Sequence, residues 1–123
     1  MKKNTLCPSL GLIFPGQGSQ KVGMLSDLAR NHSVILETFN EASDVLLYDL
    51  WDLSQNGTKE DIMLTERTQP LLLTASVAIW RLWCQLGGPS PSYMAGHSLG
   101  EWSSLVFSEV INFDDAVRLV RKR

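Results

Sequence analysis

The segment 96–100, with the sequence GHSLG, has the residue types of a nucleophilic serine turn. It fits the pattern G-x-S-x-G, in which two glycines allow a sharp strand-to-helix turn that exposes the serine hydroxyl above a sheet. Ser98 would then lie at a helix N-terminus, where free backbone N–H groups stabilise negative charge. An apolar segment precedes it and helical spacing follows, as this geometry requires. Ser98 is therefore a candidate nucleophile, and a serine N-cap in a tight turn is the alternative.

A second glycine-rich segment, 14–20, has the sequence FPGQGSQ. Gly16 and Gly18 flank Gln17 and allow the backbone to come close to a ligand. Loops that follow parallel strands meet at the carboxyl edge of the sheet, so this loop would share a crevice with the serine turn. A backbone N–H from this loop and that of Leu99 are the predicted oxyanion donors. A connector without a ligand fits the spacing equally well, whereas no Lys-Ser/Thr pair follows to indicate a phosphate-binding loop.

A serine nucleophile needs a general base within hydrogen-bonding reach, and the chain has two histidines, His32 and His97. Consecutive side chains diverge at a tight turn, so His97 is not the predicted base. His32 lies at a predicted helix boundary and is expected to be a surface or capping residue. The sequence therefore provides a nucleophile without a convincing base.

Other polar groups have ordinary structural interpretations. Gln69, just before Pro70, fits a solvated capping amide at the mouth of a helix. The cationic cluster near the C-terminal end fits a solvated last turn favoured by the helix dipole. Four tryptophans are interpreted as packing residues. The cluster consists of Arg118, Arg121, Lys122 and Arg123, and the tryptophans are Trp51, Trp80, Trp83 and Trp102.

Two short apolar segments, 10–14 and 91–96, are predicted strands, and helical spacing fills the sequence between them from about Met24 and again from Ser33. In the helix predicted from Ser33, the apolar stripe that should face the core includes Leu36. Pro70 is expected in the first turn of a long helix that ends before residues 87–89. Two strands joined by a helical crossover indicate an α/β fold with a parallel sheet. After the second strand we predict a helix at 99–108 and a last helix, capped by Asn112 or Asp114, that is still running at Arg123.

Length, charge and composition argue against several classes of function. The chain has 123 residues and a net charge of −2, which suits one ordinary core and gives no basic surface for nucleic acid. No apolar run is long enough for a membrane helix, and Pro8 and Gly11 break the N-terminal stretch that a signal peptide would need. Cys7 and Cys84 are expected to be free thiols in a reducing compartment. We therefore expect a cytoplasmic protein, without a metal site because no His, Cys and carboxylate set has ligand spacing.

Three motifs occur together in one order: FPGQGSQ at 14–20, TQP at 68–70 and GHSLGE at 96–101. With them the chain resembles malonyl-CoA:acyl carrier protein transacylase from about Gly11 onward, in the form of the discrete bacterial-type enzyme. The resemblance implies that Ser98 carries the malonyl group as an ester. It implies an oxyanion hole formed by the backbone N–H groups of Gln17 and Leu99. It also implies substrate-pocket roles for Gln69 and His97.

Arg123 falls where this family places the arginine that binds the malonyl carboxylate. A planar guanidinium can hold a carboxylate through two parallel hydrogen bonds. An uncharged acyl group would leave a buried arginine unpaired, so such a residue would select malonyl over acetyl.

The resemblance implies an α/β fold with a parallel sheet and an α/β-hydrolase-like nucleophile elbow, with residues 1–123 forming the N-terminal portion of the large acyltransferase subdomain. The family's C-terminal strands, its ferredoxin-like small subdomain and its catalytic histidine have no counterpart here. We therefore expect a fragment or a truncated gene product that is inactive by itself, because the residues of such a site act as a unit.

The partners implied are malonyl-CoA and the phosphopantetheine thiol of acyl carrier protein, with no cofactor, no nucleic acid and no membrane, and with a monomer as the full-length form. Two alternatives stay open. One is a serine hydrolase or thioesterase that releases the acyl group to water. The other is a non-catalytic truncated module that binds carrier protein or folds only with a partner.

Overall fold

The computed structural model describes residues 6–122. They form a strand, four helices, a second strand and two more helices. A short 3₁₀ helix, Asp61–Met63, lies between the third and fourth helices. The elements are β1 (Leu6–Phe14), α1 (Ser26–Asn31), α2 (Ser33–Leu46), α3 (Leu50–Asn56), α4 (Thr65–Gln85), β2 (Ser90–Gly96), α5 (Gly100–Phe107) and α6 (Phe113–Val120).

The two strands pair in parallel, with Phe14 opposite Gly96 at their carboxyl ends. Helices α1–α4 form the crossover between them, which confirms the predicted α/β fold with a parallel sheet. The side chain of Phe14 is buried against the helices, whereas Ile13 and Tyr93 are 83% and 73% exposed. Successive side chains of a strand point to opposite faces. Among the described residues, the helices therefore cover one face of the sheet and leave an apolar face open.

An aromatic cluster of Phe14, Trp80 and Phe107 joins the sheet to two helices. The rings of Phe14 and Phe107 meet edge to face, with centroids 4.2 Å apart. The rings of Trp80 and Phe107 stack with centroids 5.2 Å apart. Contacts of this kind add to the stabilisation that burial of the rings provides. The cluster fixes the end of β1 relative to α4 and α5, and α5 is the helix that the serine turn enters.

Arg81 on α4 ties that helix to α2 and α6. Its Nη1 donates hydrogen bonds to Oε2 of Glu41 at 2.8 Å and to Oγ1 of Thr38 at 3.2 Å. Its guanidinium carbon lies 5.1 Å from the centroid of the Phe113 ring. A half-buried arginine is thus paired with a carboxylate and an aromatic face, as a cation in such a position requires.

Two features of the α2–α3 region differ from the predicted elements. The buried stripe of α2 contains Ile35, and Leu36 is exposed. Helix α3 was not predicted, because the apolar pattern continues through Leu47. In the structure Leu47 has φ 66°, which ends α2, and the Asp49 carboxylate then accepts the N–H of Asp52 at 2.9 Å to cap a new helix.

The long helix α4 begins five residues earlier than its proline predicts. Pro70 is its sixth residue and not part of its first turn, so the expectation for its position was wrong. The missing N–H of Pro70 leaves the carbonyl of Glu66 without its usual helical partner, and this carbonyl lies in the exposed first turn. The hydroxyl of Thr68 donates to the carbonyl of Ile62, which holds the 3₁₀ helix against α4.

The last helix begins where one of the two predicted caps lies. The side chain of Asn112 accepts the N–H of Asp115 at 2.9 Å. Helix α6 ends at Val120, three residues before the predicted end at Arg123, and Arg123 lies outside the described residues. Residues 121 and 122 form a turn, in which Arg121 donates to the carbonyl of Leu46 at 3.4 Å. The backbone of Arg121 keeps helical dihedral angles, and its N–H donates to the carbonyl of Val117 at 3.2 Å.

Candidate active site

The serine turn joins the end of β2 to the start of α5. Ser98 has φ 56°, a left-handed conformation that few residues other than glycine adopt. The N–H of Gly100 donates to the carbonyl of His97 at 3.0 Å, and that of Glu101 donates to the carbonyl of Ser98 at 3.0 Å. Ser98 itself is exposed. The structure therefore contains the sharp strand-to-helix turn that the GHSLG pattern predicts, with its serine at the surface.

Both glycines of this turn are required by close backbone contacts. A Cβ on Gly96 would lie 1.9 Å from the carbonyl carbon of Gly100 and 2.2 Å from the nitrogen of Glu101. A Cβ on Gly100 would lie 2.2 Å from the carbonyl oxygen of Phe14. No residue with a side chain fits either position unless the backbone moves. The close approach also shows that the turn packs directly on the end of β1.

The glycine-rich loop after β1 lies at the same edge of the sheet. The N–H of His97 donates to the carbonyl of Phe14 at 3.2 Å. A Cβ on Gly16 would lie 2.5 Å from the carbonyl oxygen of His97, so the loop and the turn are in contact. The N–H of Gly18 donates to Oε1 of Gln20 at 2.8 Å within the loop. The predicted proximity of the glutamine-bearing loop and the serine turn is thus present.

Gln69 is buried, with 4% of its surface exposed. Its Nε2 donates to Oε1 of Gln17 at 3.3 Å, and Nε2 of Gln17 donates to Oγ1 of Thr65 at 3.4 Å. The interpretation of Gln69 as a solvated capping amide was therefore wrong, because α4 begins earlier and places this residue on its inner side. Oε1 of Gln69 is buried without a hydrogen-bond partner among the described residues, a situation that costs about 1–3 kcal/mol unless a donor reaches it.

His97 is exposed beside Ser98, and its Nδ1 lies 3.1 Å from the Cβ position of Gly16. His32 lies at the junction of α1 and α2, as expected for a boundary residue. Arg123 lies outside the described residues. Arg118 forms an ion pair with Asp115 at 2.9 Å.

Three groups within the described part of the chain have shifted pKa values, and all three lie on other elements. Burial raises the pKa of Tyr48, between α2 and α3. Hydrogen bonds from the backbone and side chain of Thr58 lower the pKa of Asp61. Burial, together with the neighbouring carboxyl group of Glu41, raises the pKa of Asp114 at the start of α6. None of these three groups belongs to the serine turn or to the glycine-rich loop.

An apolar hollow of about 270 Å³ lies beside this edge of the sheet, between β1 and α4. Its walls include Leu12, Pro15, Leu72 and Trp83, and Ser98 does not line it.

No helix in residues 6–122 combines the length and hydropathy needed to cross a membrane. In the same residues no three His, Cys, Asp or Glu side chains converge as potential metal ligands.

Sequence reasoning missed Thr65. The spacing of Thr65 and Gln69 could have indicated it, because residues four positions apart share one face of a helix. The prediction that the helix begins at Pro70 placed both residues in a loop and hid this relation.

Comparison with known proteins identifies the fold and its relatives. Residues 12–123 match the family model described as acyl transferase domain. The chain is 61% identical over 111 residues to the malonyl CoA-acyl carrier protein transacylase of Salmonella typhimurium. The matched residues make up 90% of this chain and 36% of the relative. The chain thus spans about one third of the length of the curated relatives it matches.

Solved structures give the same result. The malonyl CoA-acyl carrier protein transacylase of Coxiella burnetii superposes with a TM-score of 0.92 at 51% identity, over 98% of this chain and 38% of that one. A malonyl-transacylase solved in complex with a type II PKS acyl-carrier protein superposes with a TM-score of 0.89 at 59% identity, over 90% of this chain and 36% of that one. This chain therefore shares the fold of these transacylases and belongs to the acyl transferase domain family.

Proposed function

We propose that this chain is the nucleophile-bearing part of a malonyl-CoA:acyl carrier protein transacylase. The observation that carries the proposal is the exposed Ser98 in a left-handed turn, in contact with the glycine-rich loop at the carboxyl edge of a parallel sheet. Membership of the acyl transferase family and 61% identity to a named transacylase support the reaction class. Because the chain spans only a third of such relatives, the activity belongs to a longer polypeptide or to an assembly.

In the proposed reaction Oγ of Ser98 attacks the thioester carbonyl of malonyl-CoA, and its proton passes to a general base. The tetrahedral intermediate collapses with cleavage of the C–S bond, and coenzyme A leaves as the thiol after it takes up that proton. The phosphopantetheine thiol of acyl carrier protein then attacks the serine ester in the reverse sense and takes the malonyl group. The two half-reactions balance without any cofactor.

The proposed oxyanion donors are the backbone N–H groups of Gln17 and Leu99. The hydrogen bonds of the serine turn engage the N–H groups of Gly100, Glu101 and Trp102, and the N–H of Leu99 is not among these donors. The contact between the loop and the turn brings the peptide of Gln17 to the same edge. Two fixed donors directed at a developing negative charge are the largest electrostatic contribution available to such a site.

The proposal assigns the general base to neither His97 nor His32. It assigns that role to a histidine supplied by the remaining part of a full-length transacylase. Arg123 is proposed to bind the malonyl carboxylate, and Gln69 and His97 are proposed to line the acyl pocket. A cytoplasmic location and a monomeric full-length form remain predictions.

The test is a hybrid chain in which the matched segment of this protein replaces the corresponding 111 residues of the Salmonella typhimurium relative. We expect the hybrid to form a malonyl ester at Ser98, detected by mass spectrometry of the digested protein, and to transfer it to acyl carrier protein. Ser98→Ala should abolish both, whereas the control Ser108→Ala, at the end of α5, should leave both intact. Ester formation followed by release of free malonate in place of transfer would favour the serine hydrolase, and no ester at all would refute the proposal.

A second measurement on the hybrid tests the proposed role of Arg123. Removing one partner of a buried charged pair costs about 2–5 kcal/mol, so Arg123→Ala should lower malonyl transfer roughly 30-fold or more and spare acetyl transfer. An unchanged ratio of malonyl to acetyl transfer would remove Arg123 from the site.

A further inference from the structure

The side-chain amide of Gln17 is held between two residues of one helix. Its Oε1 accepts a hydrogen bond from Nε2 of Gln69 at 3.3 Å, and its Nε2 donates to Oγ1 of Thr65 at 3.4 Å. Thr65 and Gln69 are four residues apart on α4 and therefore share one face of it. The two ends of a single amide group are thus bound to adjacent turns of the longest helix in the described part of the chain.

This tether acts on a loop with little conformational restraint of its own. Gln17 lies between Gly16 and Gly18, and Gly18 has φ 113°. Glycine restricts the backbone less than any other residue. The hydrogen bond from Gly18 to Gln20 is local and does not connect the loop to a helix. Orientation of the Gln17 peptide therefore depends on its side chain and on the contact of Gly16 with His97.

The two anchors differ in burial, and this difference separates their roles. Gln69 is buried inside the helix packing, so its position is fixed by the core. Thr65 is exposed at the first residue of α4, and its side chain has no part in the core. Its hydroxyl is therefore a group whose removal affects the amide of Gln17 without disturbing the fold.

We infer that Thr65 is a positioning residue, whose hydroxyl, together with Gln69, fixes the Gln17 amide and thereby the backbone N–H that Gln17 presents to the oxyanion. This inference rests on the proposed function and deepens it. Donors must be held close to their productive geometry before the reaction, since catalysis from an oxyanion hole depends on preorganisation. Thr65 contributes to the rate through Gln17 and makes no contact with the reacting atoms.

The first experiment measures the position of the loop without any chemistry. In the 123-residue chain, amide hydrogen exchange of residues 16–20 is compared between the wild type, Thr65→Val, Thr65→Ser and the control Glu66→Gln, which alters the next exposed residue of the same turn. Loss of one hydrogen bond should accelerate exchange of the loop about fivefold in Thr65→Val. Thr65→Ser and Glu66→Gln should match the wild type. Equal exchange in Thr65→Val and wild type overturns the inference.

The second experiment measures transfer in the hybrid chain. We expect Thr65→Val to lower kcat about fivefold with the KM for malonyl-CoA within twofold of the parent, and Thr65→Ser to restore kcat. A rise in KM alone, or a loss of kcat that serine does not restore, overturns the positioning role. A parent hybrid that forms no ester refutes the proposed function instead, and the exchange comparison then decides by itself whether Thr65 holds the loop.

Discussion

The serine turn at 96–100 and the aromatic cluster beneath it are neighbours in space and depend on opposite properties of their residues. The cluster of Phe14, Trp80 and Phe107 is held by side-chain volume, because large rings fill the space between β1, α4 and α5. The turn depends on the absence of side-chain volume, because no Cβ fits at Gly96 or Gly100.

Phe14 belongs to both regions and shows how they are connected. Its ring packs against Phe107, while its carbonyl accepts the N–H of His97 at 3.2 Å and lies against Gly100. A left-handed residue such as Ser98 costs about 1–3 kcal/mol, and it persists only where its surroundings determine it. Burial of each large ring contributes a similar amount or more. The buried cluster therefore positions the strained turn through Phe14, the residue that the two regions share.

The largest expected effect comes from adding a single methyl group to the turn. Gly96→Ala should destabilise the chain by roughly 5 kcal/mol, because its Cβ would overlap backbone atoms that cannot move aside. The matched control is Gly11→Ala in the same sheet, where the nearest atom is 3.9 Å away and stability should be nearly unchanged. Urea unfolding of both variants measures the difference. A loss below about 1 kcal/mol for Gly96→Ala would contradict the close approach.

Removing volume from the cluster should have the next largest effect. Phe107→Ala should cost about 4 kcal/mol, since it leaves a cavity among buried rings. Ile13→Ala, on the open face of the sheet, should change stability by less than about 0.5 kcal/mol. The same unfolding experiment compares them. Similar losses for both would mean that the open face is covered in solution, and the contrast between the two faces would be wrong.

Relieving the strain of the turn should produce a gain. Ser98→Gly should stabilise the chain by about 1 kcal/mol, because glycine adopts φ 56° without the steric cost. Ser98→Ala is the control, since it also removes the nucleophile but keeps the strained conformation, and it should show no gain. Thermal unfolding of the two variants provides the measurement. A gain for alanine equal to that for glycine would exclude backbone strain as its cause.

The smallest expected effect is a pH dependence of stability that comes from Asp114 on α6 and Glu41 on α2. The pKa of Asp114 is raised by burial and by Glu41, so its protonated form favours the folded state. That contribution is present at low pH and is lost as pH rises through the raised pKa. The wild type should therefore lose roughly 2 °C in Tm relative to Asp114→Asn between about pH 4 and pH 7. A constant difference in Tm over this range would contradict the shift.

Much of the fold follows from local patterns. The two strands, the helix after Ser33 and the cap at Asn112 were predicted from apolar spacing and capping residues and are confirmed. The errors at Leu47 and at the start of α4 concern where helices begin and end, which the apolar spacing did not locate. The hydrogen bond from Arg121 to the carbonyl of Leu46 was not predicted either, because 75 residues separate the two and no local pattern contains that contact.

The sequence by itself determined that Ser98 lies in a glycine-flanked turn after an apolar strand, because the steric demands of such a turn act within five residues. The burial of Gln69 and its hydrogen bond to Gln17 were decided only by the tertiary structure, since they require β1 and α4 to pack with a particular offset and rotation. That packing results from the summed burial of side chains across the whole core. Local spacing determines the conformation of the serine turn, whereas only the packed core determines that the amide of Gln69 contacts Gln17.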